Sequence, residues 1–181
     1  MTEAESRLAL IERFFSGTGD SYDFMVNATT FGGDRRWKRR IVEHIPPDCE
    51  RVLDLACGTG ISTLAIARHR PGCHVVGVEL RDEYLDIARK KVQSRGIENV
   101  EFVLSRAETY SAAQPFDCIV SFYLAKYADL PRVVANAHAM LKPGGIFLMQ
   151  DFTYPSNALL AAVWHLHFKV LQSVGSRIWP S

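Results

Sequence analysis

The sequence predicts an α/β fold in which a doubly wound, mostly parallel sheet carries helices on both faces. Short runs of β-branched and other apolar residues alternate with longer stretches of helical spacing, which is the order that βαβ units produce. These runs are nearly continuous in apolar residues, as expected for strands buried on both faces. The length of 181 residues, 48% of them hydrophobic, fits one globular domain. The predicted strands are residues 51–55, 74–79, 100–104, 116–121 and 146–151.

The predicted helices lie between these strands and on both sides of them. Helical periodicity, a capping pair at Thr2 and Glu5 and a stop before Pro46 define their limits. The predicted helices are residues 2–15, 34–45, 62–68, 82–95, a short piece near 107–113, 130–141 and 157–174. We therefore expect a single domain with an N-terminal helical cover over 1–47, a cofactor-binding core over 50–152 and a C-terminal helix within 156–175.

The charge balance and the cysteines argue against several classes of function. With 21 Lys and Arg against 20 Asp and Glu, the net charge of +1 argues against a dedicated nucleic-acid-binding protein. The four cysteines form no C-x-x-C pair and predict neither a disulfide framework nor a zinc ribbon, so no metal is expected. The sequence shows no apolar run long enough to cross a bilayer and no secretory signal. The predicted location is therefore cytoplasmic.

A glycine-rich turn follows the first predicted strand. Residues 54–60 read DLACGTG, and a predicted helix comes directly after them. Glycines let the backbone pass close to a ligand, and the helix N-terminus directs free N–H groups toward it. Ser62 and Thr63 stand where a dinucleotide-binding turn has its third glycine. The alternative to a ligand-binding turn is a tight strand–helix turn without a ligand. The candidate cofactor-binding residues in this turn are Asp54, Ala56, Gly58, Thr59 and Gly60.

An acidic residue, Glu79, ends the second predicted strand about twenty residues after the glycines. In nucleotide-binding α/β folds, a carboxylate at this position binds ribose hydroxyls; a surface glutamate at a strand end is the alternative. Leu80, which follows it, is a further cofactor-binding candidate. The turn and the acid leave two cofactor classes, a dinucleotide such as NAD and S-adenosylmethionine, which has a ribose but no phosphate. The missing third glycine favours S-adenosylmethionine.

Four motifs together resemble the class I S-adenosylmethionine-dependent methyltransferases. They are VLDLACGTG at 52–60, VVGVE at 75–79, FDCIVS at 116–121 and LKPGGIFL at 141–148. Their order and spacing match the family across residues 51–151. The resemblance implies a Rossmann-like sheet of strand order 3-2-1-4-5, S-adenosylmethionine as cofactor and S-adenosylhomocysteine as product. An NAD-dependent oxidoreductase is the less favoured alternative.

Further segments resemble a narrower family, the ubiquinone/menaquinone biosynthesis C-methyltransferases. The family pattern is matched by YDFM at 22–25, FG at 31–32, RRWK at 35–38, AE at 107–108, SF at 121–122 with Leu124, and DFTYP at 151–155. This resemblance implies methylation of a ring carbon of a small substrate, a prenylated quinol precursor. It also implies site residues: Thr59 contacts the cofactor, Glu79 binds its ribose, Ala107 lies by the adenine, Ser121 lines the methionine side and Tyr22 covers the pocket.

The chain departs from this family at three places. Arg106 stands where the family has an asparagine that bonds adenine; an arginine only donates, although it could still stack on the ring. Ala125 stands where the family has an arginine. The family continues after the last helix with two strands and a hairpin, which we expect to be missing before Ser181. These departures leave open a catalytically impaired, methyltransferase-like subunit or binding protein that needs a partner.

Candidate catalytic residues follow from the position of ligands in open α/β sheets, beyond the carboxyl ends of the strands. A general base near the substrate hydroxyl would make an adjacent ring carbon nucleophilic. Asp151, Tyr154 and Tyr123 stand at or after strand ends, and Asp151 is the preferred base or orienting group. A strand-end acid that bonds local N–H groups is the alternative for Asp151.

Two segments bear on partners. The basic run at 35–40 is first interpreted as a solvated helix face with Trp37 packed inward and its charges outward, ahead of a membrane-surface contact and of nucleic-acid binding. The apolar residues of the C-terminal helix predict a core-facing helix, with exposure for a homodimer or a lipid contact as the alternative. A location peripheral to the membrane is thus a second expectation.

Overall fold

The computed structural model describes residues 9, 15 and 17–178. Its helices are α1 (Gly19–Thr29), α2 (Gly33–Glu43), α3 (Ile61–His69), α4 (Asp82–Gln93), α5 (Leu130–Met140) and α6 (Ala158–Ile178). Its strands are β1 (Arg51–Leu55), β2 (His74–Glu79), β3 (Val100–Leu104), β4 (Phe116–Phe122) and β5 (Leu141–Gln150). None of the helices in this part of the chain is long and apolar enough to cross a membrane.

The strands form one parallel sheet. In the described residues it has five strands in the order β3-β2-β1-β4-β5, and every pair is parallel. The chain moves outward in one direction from β1 to β3 and in the other from β4 to β5. The strand order therefore reverses between β1 and β4, and a ligand crevice is expected beyond the carboxyl ends of these two strands. The predicted fold class and strand order are confirmed.

The core consists of two apolar layers, one on each face of the sheet. Val52 and Leu53 are neighbours on β1, yet Val52 packs with Ile66 of α3 and Leu53 packs with Val133 of α5. Successive side chains of a strand point to opposite faces. Because both faces are covered by helices, both residues are fully buried, which explains why the strand runs are nearly continuous in apolar residues.

Two predicted elements differ from the structure. The short helix near 107–113 is wrong: in the described residues, 107–109 form a turn and 110–113 have no regular structure. The Asn136 amide donates to the carbonyls of Ala107 at 2.9 Å and Tyr110 at 2.8 Å, which occupies backbone acceptors there. The fifth strand was predicted from residue 146 and begins at Leu141. A bulge centred on Gly144, whose φ is +80°, takes up the extra residues.

Helix α1 is an element that the sequence analysis missed. It begins at Gly19, where the backbone N–H donates to Glu83 Oε1 of α4 at 3.0 Å. A Cβ at position 19 would lie 2.8 Å from both that oxygen and Ile87 Cδ1, so a larger residue there would require these two side-chain ends to shift. The predicted helix over 2–15 lies outside the described residues apart from positions 9 and 15.

Candidate active site

A cleft lies at the carboxyl ends of the strands, where the order of the sheet reverses. Its larger lobe encloses about 810 Å³ and an adjoining lobe about 300 Å³, open mouths included. The turn after β1, the ends of β2 and β4, the loop after β3 and helix α1 contribute the lining. Tyr22, Ala56, Gly58, Phe122 and Tyr123 line both lobes.

The turn after β1 places backbone against the cleft. Ala56, Gly58 and Gly60 have φ values of +60°, +56° and +80°, the left-handed region that favours glycine. Gly58 faces the cleft toward Tyr22, whereas Gly60 is packed beneath α4. A Cβ at Gly60 would lie 2.9 Å from the Ala88 Cβ. The first glycine therefore opens the site and the second lets α3 begin close to α4.

Asp54 lies behind this turn. Its Oδ2 accepts from the hydroxyls of Ser62 and Thr63, each at 2.7 Å, and its Oδ1 has no partner among the described residues. The side chain is fully buried. Burial raises the pKa of this carboxyl to about 6, although the two hydroxyls oppose the shift. Asp54 thus fixes the first turn of α3 from behind the cleft wall.

Glu79 fixes the facing side of the turn. Its Oε2 accepts from the Gly58 N–H at 3.0 Å, and its Oε1 accepts from the N–H groups of Leu80 at 2.9 Å and Arg81 at 3.1 Å. Burial raises the pKa of Glu79 despite these bonds. A carboxylate has about four acceptor positions, so Glu79 retains one on Oε2. It lines the cleft and can accept from a ligand hydroxyl such as that of a ribose.

The loop after β3 forms the far end of the larger lobe. Arg106 and Ala107 both line it, together with Leu80 and Tyr127. The Arg106 guanidinium is tied to Glu108, with Nη2 and Oε1 3.5 Å apart. A planar guanidinium beside apolar side chains suits a flat aromatic ring. This end of the cleft therefore fits an adenine.

A polar network borders the smaller lobe. The Thr59 hydroxyl donates to Asp23 Oδ1 at 2.5 Å, and Lys91 Nζ lies 2.5 Å from Asp23 Oδ2 and 3.1 Å from the Thr59 carbonyl. These contacts tie α1 to the glycine turn and to α4. Ser121 is fully buried behind the wall, and its Oγ has no partner in the part of the chain that the structure describes.

Aromatic rings surround the point where the lobes meet. Tyr22 packs against Tyr84 and Phe15, with ring centroids 5.2 Å and 5.9 Å apart. Burial raises the pKa of Tyr22 well above its usual value, so its hydroxyl stays neutral. The faces of aromatic rings attract cations. The wall therefore suits a ligand that carries a positive charge, such as a sulfonium.

Tyr123 is held in an unusual conformation in this wall. Its φ is +60°, a region that costs a non-glycine residue about 1–3 kcal/mol. Its hydroxyl donates to Asp34 Oδ1 at 2.8 Å, and Lys38 Nζ donates to Asp34 Oδ2 at 3.1 Å. Its ring stacks on Phe152, with centroids 4.6 Å apart. Surrounding contacts thus hold the strained backbone in place.

Asp34 and Lys38 are site residues that the sequence analysis missed. The basic run was expected to turn all its charges outward. Arg35, Arg36, Arg39 and Arg40 are exposed, but Lys38 is buried and Trp37 is half-buried. An acid four residues before a lysine on one helix face was the available signal.

Of the three predicted catalytic residues, the structure brings Tyr123 to the cleft wall. Asp151 Oδ2 accepts from the Ala125 N–H at 2.8 Å and Oδ1 from the Phe152 N–H at 2.7 Å. It therefore holds the loop after β4. Tyr154 is 60% exposed, and its Oη lies 2.6 Å from His165 Nε2. Asp151 and Tyr154 are not among the residues that line the two lobes.

Comparison with known proteins identifies the family. The model of the ubiE/COQ5 methyltransferase family matches residues 1–180. The chain belongs to this family. The chain is 32% identical to demethylmenaquinone methyltransferase of Thermus thermophilus, and the matched region spans 91% of this chain and 76% of that protein. It is 34% identical to the ubiquinone/menaquinone biosynthesis C-methyltransferase UbiE of Shewanella halifaxensis, over 97% and 72% of the two chains.

A solved structure shows the same fold. The S-adenosylmethionine-dependent methyltransferase of Clostridium acetobutylicum superposes with a TM-score of 0.61 at 21% identity, covering 74% of this chain and 58% of that one. As a ubiE/COQ5 member, the chain is a methyltransferase whose cofactor is S-adenosylmethionine, as predicted. The residues present fit that cofactor, because Glu79 keeps a free acceptor and an aromatic wall borders the turn.

Proposed function

We propose that the chain transfers the methyl group of S-adenosylmethionine to a ring carbon of a prenylated quinol. The names of its relatives, demethylmenaquinone methyltransferase and ubiquinone/menaquinone biosynthesis C-methyltransferase, support this substrate class. The observation that carries the proposal is the two-lobed cleft, whose lobes share the wall of Tyr22, Phe122 and Tyr123. One lobe fits the nucleoside of the cofactor, and the shared aromatic wall fits an apolar ring beside its methyl group.

The cofactor-binding roles follow from the contacts above. Glu79 accepts from the ribose, and Arg106 and Ala107 border the adenine. Gly58 and Thr59 offer backbone to the cofactor, while Asp54, Gly60 and Ser121 support the wall from behind. Residues 17–178 act as one domain, with α1 and α2 as the cover over the 50–152 core.

The residues of the shared wall prepare the transfer. The bound cofactor supplies a methyl group on a positively charged sulfur. The ring faces of Tyr22 and Phe122 stabilise positive charge without competing as nucleophiles, since the Tyr22 hydroxyl stays neutral. They also exclude water and hold the acceptor ring in line with the methyl group, which accounts for much of the rate gain in such displacements.

We further propose that a membrane surface delivers the substrate. Helix α6 exposes apolar side chains, with Leu159 73% and Leu166 64% exposed. It lies beside the cover, because the His167 ring packs against the Phe31 ring at a tilt of 30°, with centroids 4.0 Å apart. The exposed arginines of α2 belong to the same cover, and basic residues beside apolar ones suit anionic lipid. Sedimentation with vesicles containing phosphatidylglycerol should carry the chain down; a dimer with no vesicle binding would contradict this and favour self-association.

Methyl transfer to a defined acceptor tests the main proposal. The chain is incubated with S-adenosylmethionine and a short-tailed reduced demethylmenaquinone, and the product is reoxidised before mass spectrometry. A ring-carbon methyl survives in the quinone, whereas an O-methyl ether blocks reoxidation. We expect a methylated quinone, and about 100-fold less of it from Glu79→Gln. An O-methyl product, or turnover only with unrelated acceptors, would contradict the proposal.

A further inference from the structure

A buried chain of polar groups ends at the wall where the two lobes meet. The Tyr123 hydroxyl donates to Asp34 Oδ1 at 2.8 Å, and Lys38 Nζ donates to Asp34 Oδ2 at 3.1 Å. Asp34 is 3% and Lys38 8% exposed. Tyr123 lines both lobes and Lys38 lines the smaller one. This series of hydrogen-bonded groups thus leads from the cleft to a carboxylate shielded from water.

The backbone conformation at Tyr123 indicates that the Tyr123 side chain has a functional role. A φ of +60° favours glycine, and tyrosine is retained there although its Cβ makes the conformation unfavourable. Such strain at a cleft is a pointer to function when neighbouring contacts enforce it. Phe152 stacks on the ring and Asp34, 89 residues away in sequence, binds the hydroxyl. Both contacts fix the direction of the hydroxyl.

We propose that Tyr123 and Asp34 form a proton relay that takes the hydroxyl proton of the quinol during methyl transfer. This inference rests on the proposed function. As the substrate O–H bond breaks, its electron pair moves into the ring, and the ring carbon forms a bond to the methyl carbon. The methyl–sulfur bond breaks and its electron pair stays on sulfur. The substrate proton passes to Tyr123 Oη, and the Tyr123 proton passes to Asp34 Oδ1. The methylated ring carbon then releases its hydrogen to water as a proton, and the electron pair of that C–H bond restores the aromatic ring. The relay returns a proton to the substrate oxygen through Tyr123, so the net product is the methylated quinol and one released proton.

Each member of the relay has a distinct part. Tyr123 is the catalytic residue: its Oη accepts one long bond, from Gln150 Nε2 at 3.5 Å, and keeps a second lone pair with which to accept from a substrate hydroxyl. Asp34 is the positioning residue, which orients that hydroxyl and receives the relayed proton. The Lys38 ammonium pairs with the Asp34 carboxylate and lies over the Phe122 and Tyr123 rings, 5.8 Å and 5.6 Å from their centroids. The high pKa of Tyr123, raised mainly by burial, means that Tyr123 does not act as a standing phenolate.

Conservative variants test the relay in the full chain. Tyr123→Phe keeps the ring and its stacking, and Asp34→Asn keeps the shape of the carboxylate. We expect each to lower kcat with the reduced demethylmenaquinone by about 100-fold or more, with the affinity for S-adenosylhomocysteine changed by less than about threefold. The double variant should be no slower than either single one, because the two residues act as a unit. Tyr110→Phe, outside the residues that line the cleft, is the matched control.

A more acidic acceptor separates a relay from a structural role. A ring-fluorinated quinol is already partly ionised in water, so Tyr123→Phe should be within about tenfold of the parent chain on it. A variant damaged in packing would stay slow on both acceptors. Wild-type turnover in Tyr123→Phe, or the absence of this rescue, would overturn the relay.

A measurement without turnover makes the relay independent of the proposed substrate. 4-Nitro-1-naphthol has a coloured anion and is added to the chain with S-adenosylhomocysteine near its own pKa. We expect the ionised fraction to rise on binding to the parent chain and to Tyr110→Phe, and to stay unchanged with Tyr123→Phe and Asp34→Asn. Equal spectra for all four proteins would overturn the relay. If the parent chain shows the spectral change but does not methylate the quinol, the proposed function fails while the relay stands.

Discussion

The half of the cleft around Glu79 is built from backbone, whereas the half around Tyr123 is built from side chains that are distant in sequence. Glu79 accepts from three N–H groups, two of them on adjacent residues. Tyr123 depends on Asp34, 89 positions earlier. In the proposed function, a cofactor common to many enzymes is thus held by a local strand–turn–helix motif. The proposed acceptor side depends instead on how the helical cover packs on the sheet.

In the cofactor half, the part of the cleft around Glu79, the largest loss of stability is expected from adding one carbon at Gly60. Gly60→Ala places a Cβ 2.9 Å from the Ala88 Cβ at a φ of +80°. Overpacking and backbone strain together should cost about 4 kcal/mol of unfolding free energy, measured by urea denaturation. Gly96→Ala, at a φ of +59° with open space around it, should cost only about 1 kcal/mol. Equal losses would mean that α3 and α4 do not need this close approach.

The pH dependence of the free energy of unfolding tests whether the turn is held by the buried carboxyl of Asp54. Its pKa is about 6 in the folded chain against 3.8 for an ordinary aspartate. Between these values the folded chain holds a proton that the unfolded chain has released. The free energy of unfolding therefore falls as pH rises from about 4 to about 6, by about 3 kcal/mol from this residue. Asp54→Asn should remove that part of the pH dependence, whereas exposed Asp86→Asn should leave it; urea denaturation across this pH range decides.

Substitution of Lys38 tests how the acceptor half, the part of the cleft around Tyr123, is stabilised. Lys38→Met leaves the Asp34 carboxylate buried without its ammonium, and we expect a loss of about 2 kcal/mol, below the usual range for a fully buried pair because a tenth of the lysine side chain is exposed. Adding Asp34→Asn should recover at least half of the loss, since no charge then remains uncompensated. A double variant less stable than Lys38→Met would contradict this account of the pair.

Loss of the contacts that tie α1 to the glycine turn and to α4 should have the smallest effect on the free energy of unfolding. Lys91→Met removes the contacts to Asp23 and to the Thr59 carbonyl. These groups are partly exposed, so the loss should be about 1 kcal/mol. Hydrogen exchange in α1 should accelerate, whereas exposed Lys90→Met should change neither quantity. Faster exchange in the Lys90 variant would show that α1 depends on charge rather than on this tether.

The strands and the cofactor motif could be predicted because their signals are local. The apolar runs predicted β1, β2 and β3 with the bounds that the structure has, and β4 to within one residue. Two glycines and an acid about twenty residues later marked the turn and Glu79. The assignment of individual site residues remains a prediction, although the structure brings most of the cofactor candidates to one cleft or directly behind its wall.

Apart from Tyr123 and the Asp34–Lys38 spacing, the acceptor half could not be predicted, because its signals are not local. Asp151 looked like a base from its place after a strand, but the N–H groups of Ala125 and Phe152 bind both of its oxygens. Lys38 looked like one more charge in a basic run, and its burial depends on α2 packing against Phe122 and Tyr123. Helix α1 was missed because its start depends on the fit of Gly19 against α4.

Calorimetric titration with S-adenosylhomocysteine, paired with turnover, tests the division of the cleft most directly. Glu79→Gln puts an amide donor against backbone N–H groups, so we expect its affinity to fall by about 100-fold. Tyr123→Phe should bind like the parent chain yet turn over about 100-fold more slowly. NAD should give no binding heat, and circular dichroism confirms that each variant is folded. Loss of affinity in Tyr123→Phe together with unchanged affinity in Glu79→Gln would contradict the account.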